Sequence, residues 1–176
     1  ILTHTDRDHA GGAKNLLSRI RTDLLILPWQ TENIAVPADT RVVIAEQDIQ
    51  ITDGTATISI FAPVFHGEEN EMSLCVLFDT EKCDILITGD RNAFGERSLV
   101  RHTVIPDVDV LVAGHHGSRY ATSTELLEAV TPEIAVISVG SNSYGHPTDA
   151  ALYRLSDEDI SVYRTDLQGN IHITVN

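Results

Sequence analysis

Cationic residues are scarce in this sequence: 12 Lys and Arg stand against 26 Asp and Glu over 176 residues, a formal charge of −14. That balance excludes a domain that coats nucleic acid with a broad basic surface, because such binding needs stripes of Lys and Arg. Cysteine is as sparse. Cys75 and Cys83 are the whole supply, too few for a disulfide framework or a thiolate zinc site, and they read as two thiols or as one bridge. Long apolar runs are also missing. The stretches 109–114 and 134–140 are each broken by glycine or polar residues, far short of the ~20 residues that span a bilayer, so no lipid insertion by this segment is expected. What is present is 42% hydrophobic residues in a chain of ordinary domain length, enough for a sizeable core.

Apolar runs rich in β-branched residues recur at short intervals and end in Gly, Pro or charged turns, which predicts strands near 24–27, 40–45, 49–52, 55–62, 73–79, 84–88, 109–113, 134–139, 160–163 and 170–175. Helical patterns fit 13–21, 93–101, 123–130 and 148–155. Ser123 is suited to cap one of them, and Thr148-Asp149 opens another just after Pro147. Strands interleaved with a few helices, without internal repeats or low-complexity linkers, predict one layered α/β domain over residues 1–176. The chain opens on Ile1-Leu2-Thr3, the tail of a strand, with no initiator Met or signal-peptide pattern. It is expected to be a piece of a longer protein.

His4-Thr5-Asp6-Arg7-Asp8-His9 packs four candidate metal ligands into six residues, followed by Gly11-Gly12 and a helix. A tight turn at a strand end lets two imidazoles and two carboxylates converge, a donor set that suits Zn²⁺, Mn²⁺ or Fe. The plainer alternative is a solvated loop whose aspartates cap the helix. Similar places follow other apolar strands: Gly89-Asp90, Gly114-His115-His116-Gly117-Ser118 and Tyr144-Gly145-His146-Pro147. Polar residues delivered to one edge by successive strands are how layered α/β enzymes build sites. Gly89-Asp90 reads equally as a helix cap, whereas adjacent histidines between glycines point to metal or phosphate. His102 and His172 lack such a context.

Taken together, Thr3-His4-Thr5-Asp6-Arg7-Asp8-His9-Ala10-Gly11-Gly12, Leu86-Ile87-Thr88-Gly89-Asp90, Ala113-Gly114-His115-His116-Gly117-Ser118, Ser141-Asn142-Ser143-Tyr144-Gly145-His146-Pro147 and Val162-Tyr163-Arg164-Thr165-Asp166 resemble the metallo-β-lactamase-fold domain of the ComEC competence proteins. The superfamily signature is HxHxDH, and Asp6 replaces its second histidine, as in the ComEC branch. The resemblance covers essentially the whole chain. It implies an α/β fold of the metallo-β-lactamase type, an αββα sandwich, here N-terminally truncated because the family's opening strands, including a DxGQGD-type motif, should precede Ile1.

The resemblance further implies two divalent metal ions, Zn or Mn. His4 and Asp6 would hold one, Asp8 and His9 the other, and Asp90 would bridge them. One of His115 and His116 would complete the second site; His115 is assigned as the ligand. His66 or Asn70 would supply a further ligand, with Ser73 matching the family at the end of that loop. Asp8, His116 and His146 are the expected catalytic residues, and Ser118, Asn142 and Tyr144 the substrate-binding ones. The implied activity is that of a phosphodiesterase or nuclease, in which metal-activated water attacks phosphorus in line. Its partners would be DNA, held weakly, and the membrane-channel part of the parent protein, with this segment a soluble domain on the extracytoplasmic face. A stand-alone cytoplasmic or secreted hydrolase of a small ester, lactone or phosphoester, and a non-catalytic module of a DNA-uptake protein, are the alternatives. Two divalent ions would bring −14 only to −10, and the basic residues are scattered, with Arg91, Arg97 and Arg101 placed along one helix and Arg119, Arg154 and Arg164 apart.

Overall fold

The computed structural model describes residues 1–29, 31, 34–64 and 72–175. Two short helices, α1 (Arg7–Ala10) and α2 (Ala13–Leu17), lead into a parallel pair, β1 (Leu24–Pro28) and β2 (Arg41–Ala45), with Leu24 opposite Arg41. A second sheet holds β3 (Ile49–Asp53), β4 (Ala56–Phe61), β5 (Cys75–Thr80), β6 (Asp84–Ile87), β7 (Val110–Val112), β8 (Ile134–Ile137) and β9 (Ser161–Arg164), in spatial order identical to chain order.

The period-two alternation of the strands decides the layers. In β1, Leu25 and Leu27 pack with Leu17 of α2, whereas Ile26 packs with Ala45, Ile60 and Leu74 in the core between the two sheets. On the far side of the large sheet Leu86, Leu111, Ala135 and Ile137 meet Leu99, Leu126, Leu127 and Leu155. These four leucines belong to α3 (Ala93–His102), α4 (Thr124–Val130) and α5 (Asp149–Asp157). The order helix, sheet, sheet, helix is the expected αββα arrangement.

Strand direction then places the functional edge. β3 to β6 are antiparallel and need only short turns; β6 to β9 are parallel, so each connection must cross back over the sheet, and α3, α4 and α5 are those crossovers. The registers Ile87↔Val112, Val112↔Val136 and Ile137↔Arg164 bring the C-terminal ends of four strands to one edge. Antiparallel β5 starts there, since Val76 lies opposite Ile87. Leu2 N–H donates to Ile26 O and Leu74 N–H to Thr3 O, which carries the chain's opening segment to the same edge.

Three sequence expectations change. No strand forms over 170–175: Ile173 and Val175 are exposed, and the apolar alternation there has no partner surface. Instead the short α6 (Thr165–Gln168) follows β9. Arg91 is not part of a basic helical face; it precedes α3 and is 1% exposed. The helix expected over 13–21 ends at Leu17. Among the described residues, no helix is long and apolar enough to cross a membrane.

Cys75 and Cys83 are both free. Burial pushes the Cys75 thiol up to about 11, which leaves almost no thiolate at neutral pH. Iodoacetamide at pH 8 is therefore expected to alkylate Cys83 in the native protein and Cys75 only after unfolding. Peptide mapping reads this directly, and labelling of Cys75 at the rate of Cys83 would contradict its burial.

Candidate metal centre

The gathered edge brings four imidazoles and three carboxylates together. His4, 2% exposed, presents Nε2 3.6 Å from Asp90 Oδ2 and 3.8 Å from Asp6 Oδ2. His9 Nε2 is 3.1 Å from Asp90 Oδ1, 4.0 Å from Asp8 Oδ2 and 3.2 Å from His116 Nε2. His116 Nε2 is 3.2 Å from Asp8 Oδ2, and His115 Nε2 is 3.5 Å from Asp90 Oδ2. Asp90, 3% exposed, lies at the hub.

Local chain chemistry explains each placement. Asp6 occupies the N-cap position of α1 yet makes no side-chain cap bond, so its carboxylate is left for the centre. Gly89 has φ +59° and a Cβ there would lie 3.0 Å from both Ser73 Cβ and Thr3 Cβ, so only glycine lets the turn deliver Asp90. Asp90 is not the cap of α3; Asn92 is, accepting from the N–H groups of Phe94 and Gly95. His115 and His116 both sit in the left-handed region, at φ 47° and 53°. Such conformations persist when surrounding bonds over-determine them. Here His115 N–H donates to Gly89 O, Gly114 N–H to Thr122 Oγ1, and His116 shares a 2.7 Å bond with Ser138 O.

That last bond fixes a tautomer. A carbonyl only accepts, so Nδ1 of His116 carries a proton, and Nε2 faces Asp8 and His9. His4 is similar: Nδ1 is 3.1 Å from Thr3 Oγ1, and Nε2 is buried without a hydrogen-bond partner. An imidazole held through Nδ1 with an unsatisfied Nε2 among carboxylates is the arrangement a metal-binding histidine has. Among the described residues, His4, His9 and Asp90, and likewise Asp8, His9 and His116, bring ligand atoms within 4.8 Å of one another. The donor set fits divalent cations.

The electrostatics follow the burial. Burial and the neighbouring His9 hold His4 below its ordinary pKa, against the pull of three carboxylates. His9 is raised, chiefly by its contact with Asp90. Burial raises Asp90, but the imidazoles around it outweigh that and leave it below the usual carboxylate range. His146 is lowered by burial and by His115 and His116.

Comparison with known proteins supplies a second, independent line. The chain is 32% identical to ComE operon protein 3 of Bacillus subtilis over 97% of its own length and 33% identical to Recombination protein 2 of Haemophilus influenzae over 98%. Competence protein ComA of Neisseria gonorrhoeae is 46% identical over 48% of the chain. The chain is a homologue of one part of the ComEC-family competence proteins. It spans 24% and 22% of the length of the first two relatives. No family model matches it. In structure it resembles the metallo-β-lactamase fold protein YhfI from Bacillus subtilis, with TM-score 0.57, 10% identity and coverage of 93% of this chain and 73% of that one. It also resembles the CmlA β-hydroxylase E377D mutant, with TM-score 0.62, 15% identity and coverage of 93% and 42%.

His4, Asp6, Asp8, His9, Asp90, His115 and His116 all meet at the gathered edge. The structure groups His116, rather than His115, with Asp8 and His9. His66 and Asn70 lie outside the described residues. His146 stands beside His115, ring centroids 5.5 Å apart. Ser118 is buried, its Oγ accepting from Tyr120 N–H, and it does not line the neighbouring cleft. Asn142 spends its amide on its own loop: Oδ1 accepts from the N–H groups of Tyr144 and His146, and Nδ2 donates to Gly140 O and His146 O. Tyr144 projects into solvent.

Two supporting residues escaped the sequence reading. Arg91 donates through Nε and Nη2 to Ser73 O and through Nη2 to Phe61 O, while Ser73 Oγ accepts from Asp90 N–H; together they brace the hub from behind. Glu96, wholly buried, accepts from Thr122 N–H at 2.6 Å and Ser123 N–H at 2.7 Å. Thr122 in turn accepts from Gly114 N–H, so Glu96 steadies the turn that carries the histidine pair. The available signal was position: Arg91 adjoins Asp90, and Glu96 stands three residues before Leu99 on the inward face of α3.

Proposed function

We propose that this chain is a metal-dependent phosphodiesterase domain that cuts DNA, holding two divalent ions, Mn or Zn, and working beside the membrane-channel part of a longer protein. The observation that carries the reading is the buried, unpartnered Nε2 of His4 facing Asp6 and Asp90, next to a second set of Asp8, His9 and His116. His4, Asp6 and Asp90 would hold one ion, and Asp8, His9 and His116 the other. The oxygen-rich first set accommodates Mn²⁺ as readily as Zn²⁺. Bound divalent ions supply Lewis-acid polarisation of a phosphoryl oxygen and bring the pKa of water toward neutrality.

The chain's own groups do the rest. Asp8 is more than half exposed and serves as an acceptor for a proton from water at the open side. His146, beside His115, donates a hydrogen bond to the leaving oxygen, which takes its proton from solvent. His115, beside Asp90 and His146, holds a phosphoryl oxygen. Several cations are committed elsewhere: Arg154 to the carbonyls of Thr122 and Ala121, Arg164 to Asp166, and Arg97 to Glu125. With 12 Lys and Arg against 26 Asp and Glu, affinity for DNA is weak outside the centre. A small lactone or ester is the second reading, favoured by a neighbouring cleft lined by neither Lys nor Arg.

The test is metal analysis followed by turnover in the full-length protein. About two equivalents of Mn²⁺ or Zn²⁺ are expected, with hydrolysis of bis-p-nitrophenyl phosphate and cleavage of DNA. Lactone turnover without any phosphodiester cleavage would establish the second reading. A folded, metal-loaded protein that turns over nothing would make the chain a structural module.

A further inference from the structure

We infer that Tyr144 and His146 form a stacking platform for a nucleobase beside the metal centre, so that the substrate enters as a nucleotide and not as a bare phosphodiester. The inference rests on the phosphodiesterase reading and specifies which part of the substrate lies outside the metals. A cleft of about 350 Å³ shares Asp8 and His116 with the centre and extends along residues 138–142 to Tyr144, His146 and Thr165. That volume is of the size that takes a small organic group. Among the described residues no Lys or Arg lines it and Asp8 does, so a phosphate is repelled from the cleft and the uncharged part of a nucleotide is not.

Hydrogen-bond readout of a base is poorly provided for. Ser138 O is bonded to His116, Val139 N–H and O to the Thr165 hydroxyl, and both ends of the Asn142 amide to the loop backbone. The open feature is an aromatic face. Tyr144 is 84% exposed, and its ring stacks on His146 with centroids 6.3 Å apart and planes inclined by 26°. Four hydrogen bonds from Asn142 hold the loop that presents it, so little ordering is lost when a base lands on it. Stacking of a base on an aromatic side chain changes affinity by roughly 5- to 150-fold and tolerates any base.

The experiment compares thymidine 5′-(p-nitrophenyl phosphate) with methyl p-nitrophenyl phosphate in the full-length protein loaded with Mn²⁺. It also measures by calorimetry the binding of thymidine 5′-monophosphate against ribose 5-phosphate. Wild type is expected to favour the thymidine compound in both assays. Tyr144→Ala should cut that preference roughly 5- to 150-fold, read in KM and in Kd, and Tyr144→Phe should retain it, because the ring face and not the hydroxyl makes the contact. Equal weakening of both compounds, or a Tyr144→Phe preference as low as that of Tyr144→Ala, would overturn the platform. If wild type hydrolyses neither diester, the phosphodiesterase reading fails. Calorimetry alone then decides: a preference for the nucleotide that Tyr144→Ala abolishes upholds the platform, and no preference in wild type refutes it.

Discussion

Asp90→Ala is expected to lower phosphodiester cleavage by more than ~10²-fold and to leave less than half of the bound metal, whereas His172→Ala stays within about twofold of wild type. The floor on the first figure comes from outer groups around metal ligands, whose loss alone costs about 10- to 100-fold. Asp90 is closer to the chemistry than any such group: its two oxygens lie 3.1 to 3.6 Å from His9, His4 and His115. His172 is exposed in a segment that joins no sheet. Both variants should be compared in the full-length protein, with metal content and turnover read on the same sample. Equal losses would remove Asp90 from the centre, and full metal retention in Asp90→Ala would remove its role as the shared ligand.

Glu96→Ala is expected to destabilise the fold by about 2 to 6 kcal/mol, the cost of leaving two buried N–H donors without an acceptor. Its carboxylate is the acceptor for two backbone N–H groups that have no route to water, and each orphaned donor costs about 1 to 3 kcal/mol. Glu96→Gln keeps one carbonyl oxygen and should lose clearly less. Urea unfolding at constant m-value separates the two variants. A midpoint for Glu96→Ala within experimental scatter of wild type would show that the 118–123 turn is held without Glu96, by contacts such as those of Arg154 to the carbonyls of Arg119, Ala121 and Thr122.

Most of the large sheet was legible in the sequence because its strands are short apolar runs with sharp ends; β6, for instance, runs from Asp84 to Ile87 and stops at a glycine turn. The capping residues were legible for the same local reason. Ser123 accepts from Leu126 N–H and Thr148 from Ala151 N–H, as their positions before helical patterns imply. The segment 170–175 misled because alternation is only half of a strand; the other half is an edge to pair with and a surface to face, and neither is a local property.

The candidate site divides along the same line. His4, Asp6, Asp8 and His9 were found because they crowd one turn, and Asp90, His115 and His116 because each follows a strand and a glycine. Residue type and spacing are short-range information, and metal-binding chemistry is written in them. Which histidine of the adjacent pair joins Asp8 and His9 was left open by spacing. It is decided by two consecutive left-handed residues and by the bond from His116 to Ser138 O, 22 positions away. Arg91 and Glu96 look in the sequence like two more surface charges. Only the packing of α3 against the large sheet buries them, and once buried their charges must be spent on backbone groups of loops distant in the chain. By itself the sequence determined the candidate ligand chemistry, the strand order of appearance and the caps Ser123 and Thr148, because these depend on neighbours along the chain. The tertiary structure decided how the candidate ligands group, what holds their side chains and which aromatic face stays open, because those depend on what the fold brings together and excludes from water.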